Sequence, residues 1–151
     1  MLTFEQKVSG LVLPACDGGV TLKKSWKLFS GNLDKDPSKE DRDLKVVGVQ
    51  TPATSCAVLE YPNVQNLPIA LGDPAPFAMT QHQVATFCSL HRQQLRGEGS
   101  FGTHFIVRNR ERWQVVRVRQ MFGFLYVLVY NLYNKANKPF QGETVWLVKP
   151  D

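Results

Sequence analysis

Seven of the eight arginines, Arg92, Arg96, Arg108, Arg110, Arg112, Arg117 and Arg119, fall in one stretch that holds only two acids, Glu98 and Glu111. That stretch accounts for the whole formal charge of +5, and the remainder of the chain is balanced. A guanidinium is a planar fork that matches the oxygens of phosphate and carboxylate, so the concentration marks a contact surface for nucleic acid or for an acidic protein face. Trp113 lies among these arginines. An aromatic ring in that position can stack on a base while the arginines hold a phosphodiester backbone. The competing account is structural: a basic solvated hairpin, or an edge strand kept from aggregating by its charge. The sequence carries no RNP signature, zinc finger or helix-turn-helix pattern.

Two hydrolytic chemistries compete with binding. A thiol hydrolase needs a cysteine activated by a helix N-terminus and a histidine as general base. Cys16 precedes a candidate helix and His104 opens a candidate strand, but Gly18 and Gly19 separate Cys16 from that helix, and Cys56 has none after it. Cys88 and His91 share one helix and read as core. A metal-independent ribonuclease needs an acid, a base and a phosphate clamp. His104, Arg108, Glu111, Arg117 and Tyr130 are of the right kinds, and the sequence alone does not bring them together.

Other chemistries find no support. His82, His91 and His104 have no ligand-like spacing, the three cysteines are too widely spaced for a zinc site or a disulfide framework, and no nucleotide-binding glycine motif or nucleophile elbow occurs. Neither a metal nor a cofactor is expected. A third class is a structural subunit of a virus particle or another assembly, with Trp26, Trp113, Trp146 and Tyr133 among its interface anchors.

The elements that would place these residues follow from periodicity and capping. Thr3 with Gln6, and Phe4, Val8 and Leu11 at helical spacing, predict a short first helix that Gly10 and Pro14 end. Leu22, Trp26 and Phe29 predict a second, capped by Thr21 and closed near Gly31. Residues 32–43 are nearly all polar or charged and predict an exposed loop. Leu44–Gln50 and Cys56–Tyr61 predict a pair of strands. From 62 to 79 the prolines predict an irregular loop anchored by Leu67, Ile69, Leu71 and Phe77.

The next signals are stronger. Thr80 and Gln83 form a capping box, Met79 and Val84 a hydrophobic staple, and Gly97 a C-cap for a helix over 81–96 with Val84, Phe87, Cys88, His91 and Leu95 inward. Strand-like runs follow at 103–108, 112–119, 124–132 and 144–148, the last after the loop NKANKPFQGE. Their alternation puts His104, Ile106 and Arg108 on one face and Trp113, Val115, Arg117 and Arg119 on another. Phe124, Tyr126, Leu128 and Tyr130 alternate with Leu125, Val127 and Val129, so the third run is apolar on both faces and belongs inside a sheet.

The expectation is therefore one α+β domain over 1–151: a helix packed on a C-terminal antiparallel β-meander, preceded by short helices and a strand pair. The start of the chain lacks the pattern of a secretory signal, and no apolar run is long enough to cross a bilayer as a helix, which favours the cytoplasm, or that of a host cell for a viral chain. The expected function is non-enzymatic binding or assembly through the 92–119 unit, including Trp113, with homo-oligomerisation or a larger assembly open.

Overall fold

The computed structural model describes residues 4–25, 27–29, 33–35, 45–133 and 143–151, with positions 33–35 and 65 described by backbone alone. Among the described residues eight strands form a single sheet: β1 (Glu5–Leu13), β2 (Leu33–Lys35), β3 (Thr54–Tyr61), β4 (Ala78–Met79), β5 (Thr103–Asn109), β6 (Arg112–Met121), β7 (Phe124–Asn131) and β8 (Val145–Pro150). Their order is β1-β3-β8-β5-β6-β7-β2, with β4 beside β5. The described residues also hold two α-helices, α1 (Leu67–Leu71) and α2 (Gln81–Leu90).

This corrects the expected helix on an antiparallel meander. Of the described residues 43% are strand and 19% helical, so the fold is β-rich. Among the described strands only β5, β6 and β7 form a meander, joined by tight turns at Arg110–Glu111 and Phe122–Gly123. The chain then returns β8 to the far edge of β5, parallel to it, and β8 pairs on its other side with β3. Parallel partners also flank β7 and β5, in β2 and β4 respectively, so the sheet is mixed.

The first predicted helix is strand β1. Against β3 its register runs Gln6↔Leu59, Val8↔Val58, Leu11↔Cys56, so Lys7 and one residue between Val8 and Leu11 are extra. Two bulges thus stretch the strand's period of 2 into the spacing of a helix. Gly10, at φ 74, supplies the left-handed backbone that the second bulge needs. Val8 and Leu11 still reach the core beside Leu13, while Phe4 turns to the other face and packs on Tyr61 at 5.2 Å.

Other N-terminal expectations change as well. Residues 22–25 and 27–29 make turns rather than a described helix, although the Thr21 hydroxyl does accept from the Lys24 amide at 3.2 Å and Leu22 and Phe29 are buried. Segment 46–50 forms no strand, so it does not pair with β3, and Leu44 lies outside the described residues; the neighbouring contact is a bridge from Cys16 to Thr51. Leu33–Lys35 forms β2 inside the expected 32–43 loop, and the rest of that loop lies outside the described residues, as do Thr3, Trp26, Gly31 and 134–142. The 62–79 stretch holds α1 between two 3-10 turns; Leu67 and Leu71 are buried, but Ile69 is 73% exposed and anchors nothing.

The capping box on α2 is present in both directions: the Gln83 amide donates to Thr80 Oγ1 at 3.1 Å and the Thr80 amide to Gln83 Oε1 at 3.0 Å. Thr80→Ala is expected to cost about 1 kcal/mol of stability, read as a lower urea midpoint at unchanged slope. The helix stops at Leu90 instead of running to Arg96, because His91 leaves helical geometry and a 3-10 turn swings Leu95 into the core. α2 and the turns at 22–25 and 27–29 bury one sheet face with Val84, Phe87 and Cys88 against Phe105, Val107, Val116 and Val127. The second face is covered over β8 and β5 by Tyr61, Leu67, Leu71 and Phe101. Its β6–β7 half is left partly open.

Candidate functional site

The sheet separates the thiols from the only histidine considered as their base. Cys56 and Cys88 pack on the α2 face, and Cys16 Sγ sits 3.8 Å from Thr86 Oγ1 of α2 on that same side. His104 alternates with Phe105 and points to the opposite face, in line with Ile106. All three thiols are buried, and desolvation pushes Cys56 up to about 11 and Cys88 higher still, so neither is a nucleophile at neutral pH. No thiol pairs with His104.

The face opposite α2 gathers more of the sequence-predicted residues. Across β5, β6 and β7 the register sets His104 beside Arg117 and Arg108 beside Trp113; it then sets Val115 beside Tyr130, Arg117 beside Leu128, Arg119 beside Tyr126 and Met121 beside Phe124. Opposed residues in an antiparallel pair share a face with their side chains in reach. Arg108 lies over the Trp113 ring at 5.4 Å and Arg117 over the Phe101 ring at 4.4 Å. Trp113, Arg119, Met121, Tyr126, Leu128 and Tyr130 are half-buried, and Phe124 and Arg108 are exposed. Basic and aromatic side chains therefore interleave along one open strip.

His104, Arg108, Arg117 and Tyr130 share this face, which is as far as the ribonuclease set converges. Glu111 is in the exposed β5–β6 turn, beyond the Asn109↔Arg112 pair. Burial, then the neighbouring Arg117 charge, lowers His104 to about 3, and burial raises Tyr130 to about 12. General acid–base catalysis needs a group that titrates near the working pH, which neither does.

The remaining arginines disperse. Arg110 and Arg112 stay at the β5–β6 tip with Arg108. At the other end Arg92 donates to the Gly123 carbonyl at 2.6 Å, and Arg96 donates to the Thr144 carbonyl at 2.7 Å while lying over the Trp146 ring at 5.7 Å. Arg92 and Arg96 thus brace the β6–β7 turn and the start of β8. Trp146 packs beneath Arg96 and Lys7 on the α2 face, whereas Tyr133 is exposed. The sequence predicts one arginine surface; the strand ends divide it into a tip, a strip and a brace.

Two concavities adjoin these groups. A cleft of about 480 Å³ runs between the 46–51 segment, the start of α2 and the β5–β6 tip, with Val46, Val49, Met79, Arg108 and Arg110 among its walls. A recess of about 100 Å³ opens on the strip, lined by Arg117, Arg119, Met121, Tyr126, Val127 and Leu128. Tyr126, Phe124 and Met121 were absent from the predicted site. The alternation of Phe124 and Tyr126 was visible, but their placement beside Met121 and Arg119 depends on the Phe122–Gly123 turn.

Among the described residues no group of three His, Cys, Asp or Glu side chains could hold a metal ion, and no helix is long and apolar enough to cross a membrane. No family model matches the chain, and no curated protein or solved structure is significantly similar to it.

Proposed function

We propose that this chain is a non-enzymatic binding protein that takes single-stranded nucleic acid on the open β6–β7 face. The observation that carries the reading is the strip itself: Arg108, Arg117 and Arg119 interleaved with Trp113, Tyr126 and Phe124 on one side of a sheet. Guanidinium groups attract a phosphodiester backbone whatever its sequence, and half-exposed rings on a flat sheet give unpaired bases a stacking surface. A duplex hides its base faces, so the aromatic members of the strip favour a single strand. An acidic protein would use the arginines but has no need of the rings.

The test is fluorescence anisotropy of a labelled oligouridine with the full chain across a salt series. Binding is expected to weaken steeply with salt. Arg119→Ala is expected to lower the slope of log affinity against log salt by about 0.7. Tyr126→Ala should instead weaken binding about fivefold or more at unchanged slope, because stacking is lost and no counterion is released. Absence of binding at low salt, or binding that neither variant alters, overturns the proposal. Polyglutamate competing as well as oligouridine would reassign the strip to acidic proteins.

A further inference from the structure

We propose that the recess between Arg117 and Arg119 is a seat for one phosphate monoester group, and that bases attached to it lie outside on the aromatic strip. The inference deepens the reading of the strip as a nucleic-acid face and rests on it for the source of the phosphate, though not for the seat itself.

The recess, about 100 Å³, has room for a phosphate group and not for a whole nucleotide. Among the described residues its wall contains two guanidinium-bearing side chains and no acid. Arg117 and Arg119 are two residues apart on β6, so they project from the same face about 7 Å apart along the strand. Their positive charges act together on the recess, and the Arg119 fork is of the kind that donates to a phosphate dianion.

Each arginine is also held in place without a ligand. Arg117 is 6% exposed, with its guanidinium against the Phe101 ring at 4.4 Å, an arrangement that fixes its plane. Arg119 crosses the backbone at Gly102, where a Cβ would approach its Cγ to 2.8 Å, so the absence of a side chain at 102 gives its stem a track. Arg119 Nε is buried and makes no hydrogen bond among the described residues. A buried donor left unmatched is costly, and an oxyanion in the recess satisfies it. His104 beside Arg117 is held neutral first by its burial and then by the Arg117 charge, so it adds no positive charge of its own to the recess.

Outside the recess, Tyr126 stands beside Arg119 and Phe124 beside Met121. A phosphate seated there directs its ester substituent onto these rings. A terminal phosphate, with its extra charge and free approach, fits such a closed seat better than an internal diester.

The experiment has two arms on the full chain. In the first, inorganic phosphate is added during thermal unfolding and compared with chloride at equal ionic strength. The midpoint is expected to rise with phosphate concentration in the parent and in Arg110→Ala, and not in Arg119→Gln. Arg119→Lys keeps charge without the fork and is expected to retain part of the rise, which separates loss of the seat from loss of the fold. In the second arm, 5′-phosphorylated oligouridine is expected to bind roughly tenfold tighter than the unphosphorylated strand, an advantage Arg119→Gln abolishes. Stabilisation by phosphate with no binding of either strand keeps the seat and removes its nucleic-acid source. Binding of both strands alike, with no stabilisation by phosphate, removes the seat and leaves the strip.

Discussion

Taking the protein from pH 6.5 to pH 4 is expected to cost about 3 kcal/mol of stability through His104 alone. The imidazole is wholly buried on the face opposite α2, and desolvation, then Arg117, lowers it from the ordinary 6.5 to about 3. The Trp146 backbone opposes this and Arg96 adds to it. Between those two values the unfolded chain binds a proton that the folded chain excludes, so stability falls as the pH falls through that window. Above pH 6.5 both states are neutral at this position and the contribution is constant. The measurement is a pair of urea-unfolding series, parent and His104→Phe, from neutral pH down to 4. Carboxylates contribute equally to both, so the difference isolates the histidine. His104→Phe should narrow the loss on acidification by about 3 kcal/mol; parallel curves would mean that the imidazole is accessible to protons in the folded state.

His104 also illustrates which parts of this fold could be read in advance. Its face followed from the alternation along 103–108, and the two hairpins were legible because short connections force neighbouring strands into antiparallel register. The capping box at Thr80 and Gln83 was legible for the same reason: all of its chemistry lies within four residues. The end of α2 was not, since Leu95 leaves the helix only because distant strands leave a space for it. Strand β1 was misread because two bulges gave Phe4, Val8 and Leu11 the separation of helical neighbours. The parallel pairing of β8 with β5 had no local signal, being a choice among edges that exist only once the sheet has formed.

The candidate site divides in the same way. Arginines alternating with aromatic residues on β6 and β7 can be picked out by eye. Which of them meet is set by the turn at Phe122 and Gly123, both at positive φ, and a bulky Phe at φ 54 is a poor advertisement for a tight turn. Arg92 and Glu98 hold that turn through the carbonyl and amide of Gly123, at 2.6 and 2.8 Å. Two residues counted at first within one charged surface or against it are therefore structural supports for the register that brings Arg119 to Tyr126. Charge along the sequence was a sound guide to the presence of a basic face and a poor guide to its extent, because a strand carries its residues over tens of ångströms while reversing them at every turn.

Gly18→Ala is expected to destabilise the chain by about 3 kcal/mol, the sum of left-handed strain and displaced backbone. Gly18 is at φ 84, and a Cβ there would meet the Gly48 carbonyl oxygen at 2.2 Å and the Val49 carbonyl oxygen at 2.7 Å. Both are main-chain atoms, which cannot rotate away as a side-chain end can. Gly18 is also a junction, its amide donating to His82 Nδ1 at 3.1 Å and its carbonyl accepting from the Gly48 amide at 3.0 Å. Moving it pulls the 46–50 segment from α2 and alters the wall of the larger cleft. Gly97→Ala supplies the contrast, since nothing lies within 4 Å of a Cβ there and its φ is ordinary, so that change should be neutral or stabilise by about 0.5 kcal/mol. Urea midpoints measured for both, with α2 followed by far-ultraviolet circular dichroism, check the pair. A Gly18→Ala protein as stable as Gly97→Ala would show that 46–50 is not seated against Gly18, and the 480 Å³ cleft would lose one of its walls.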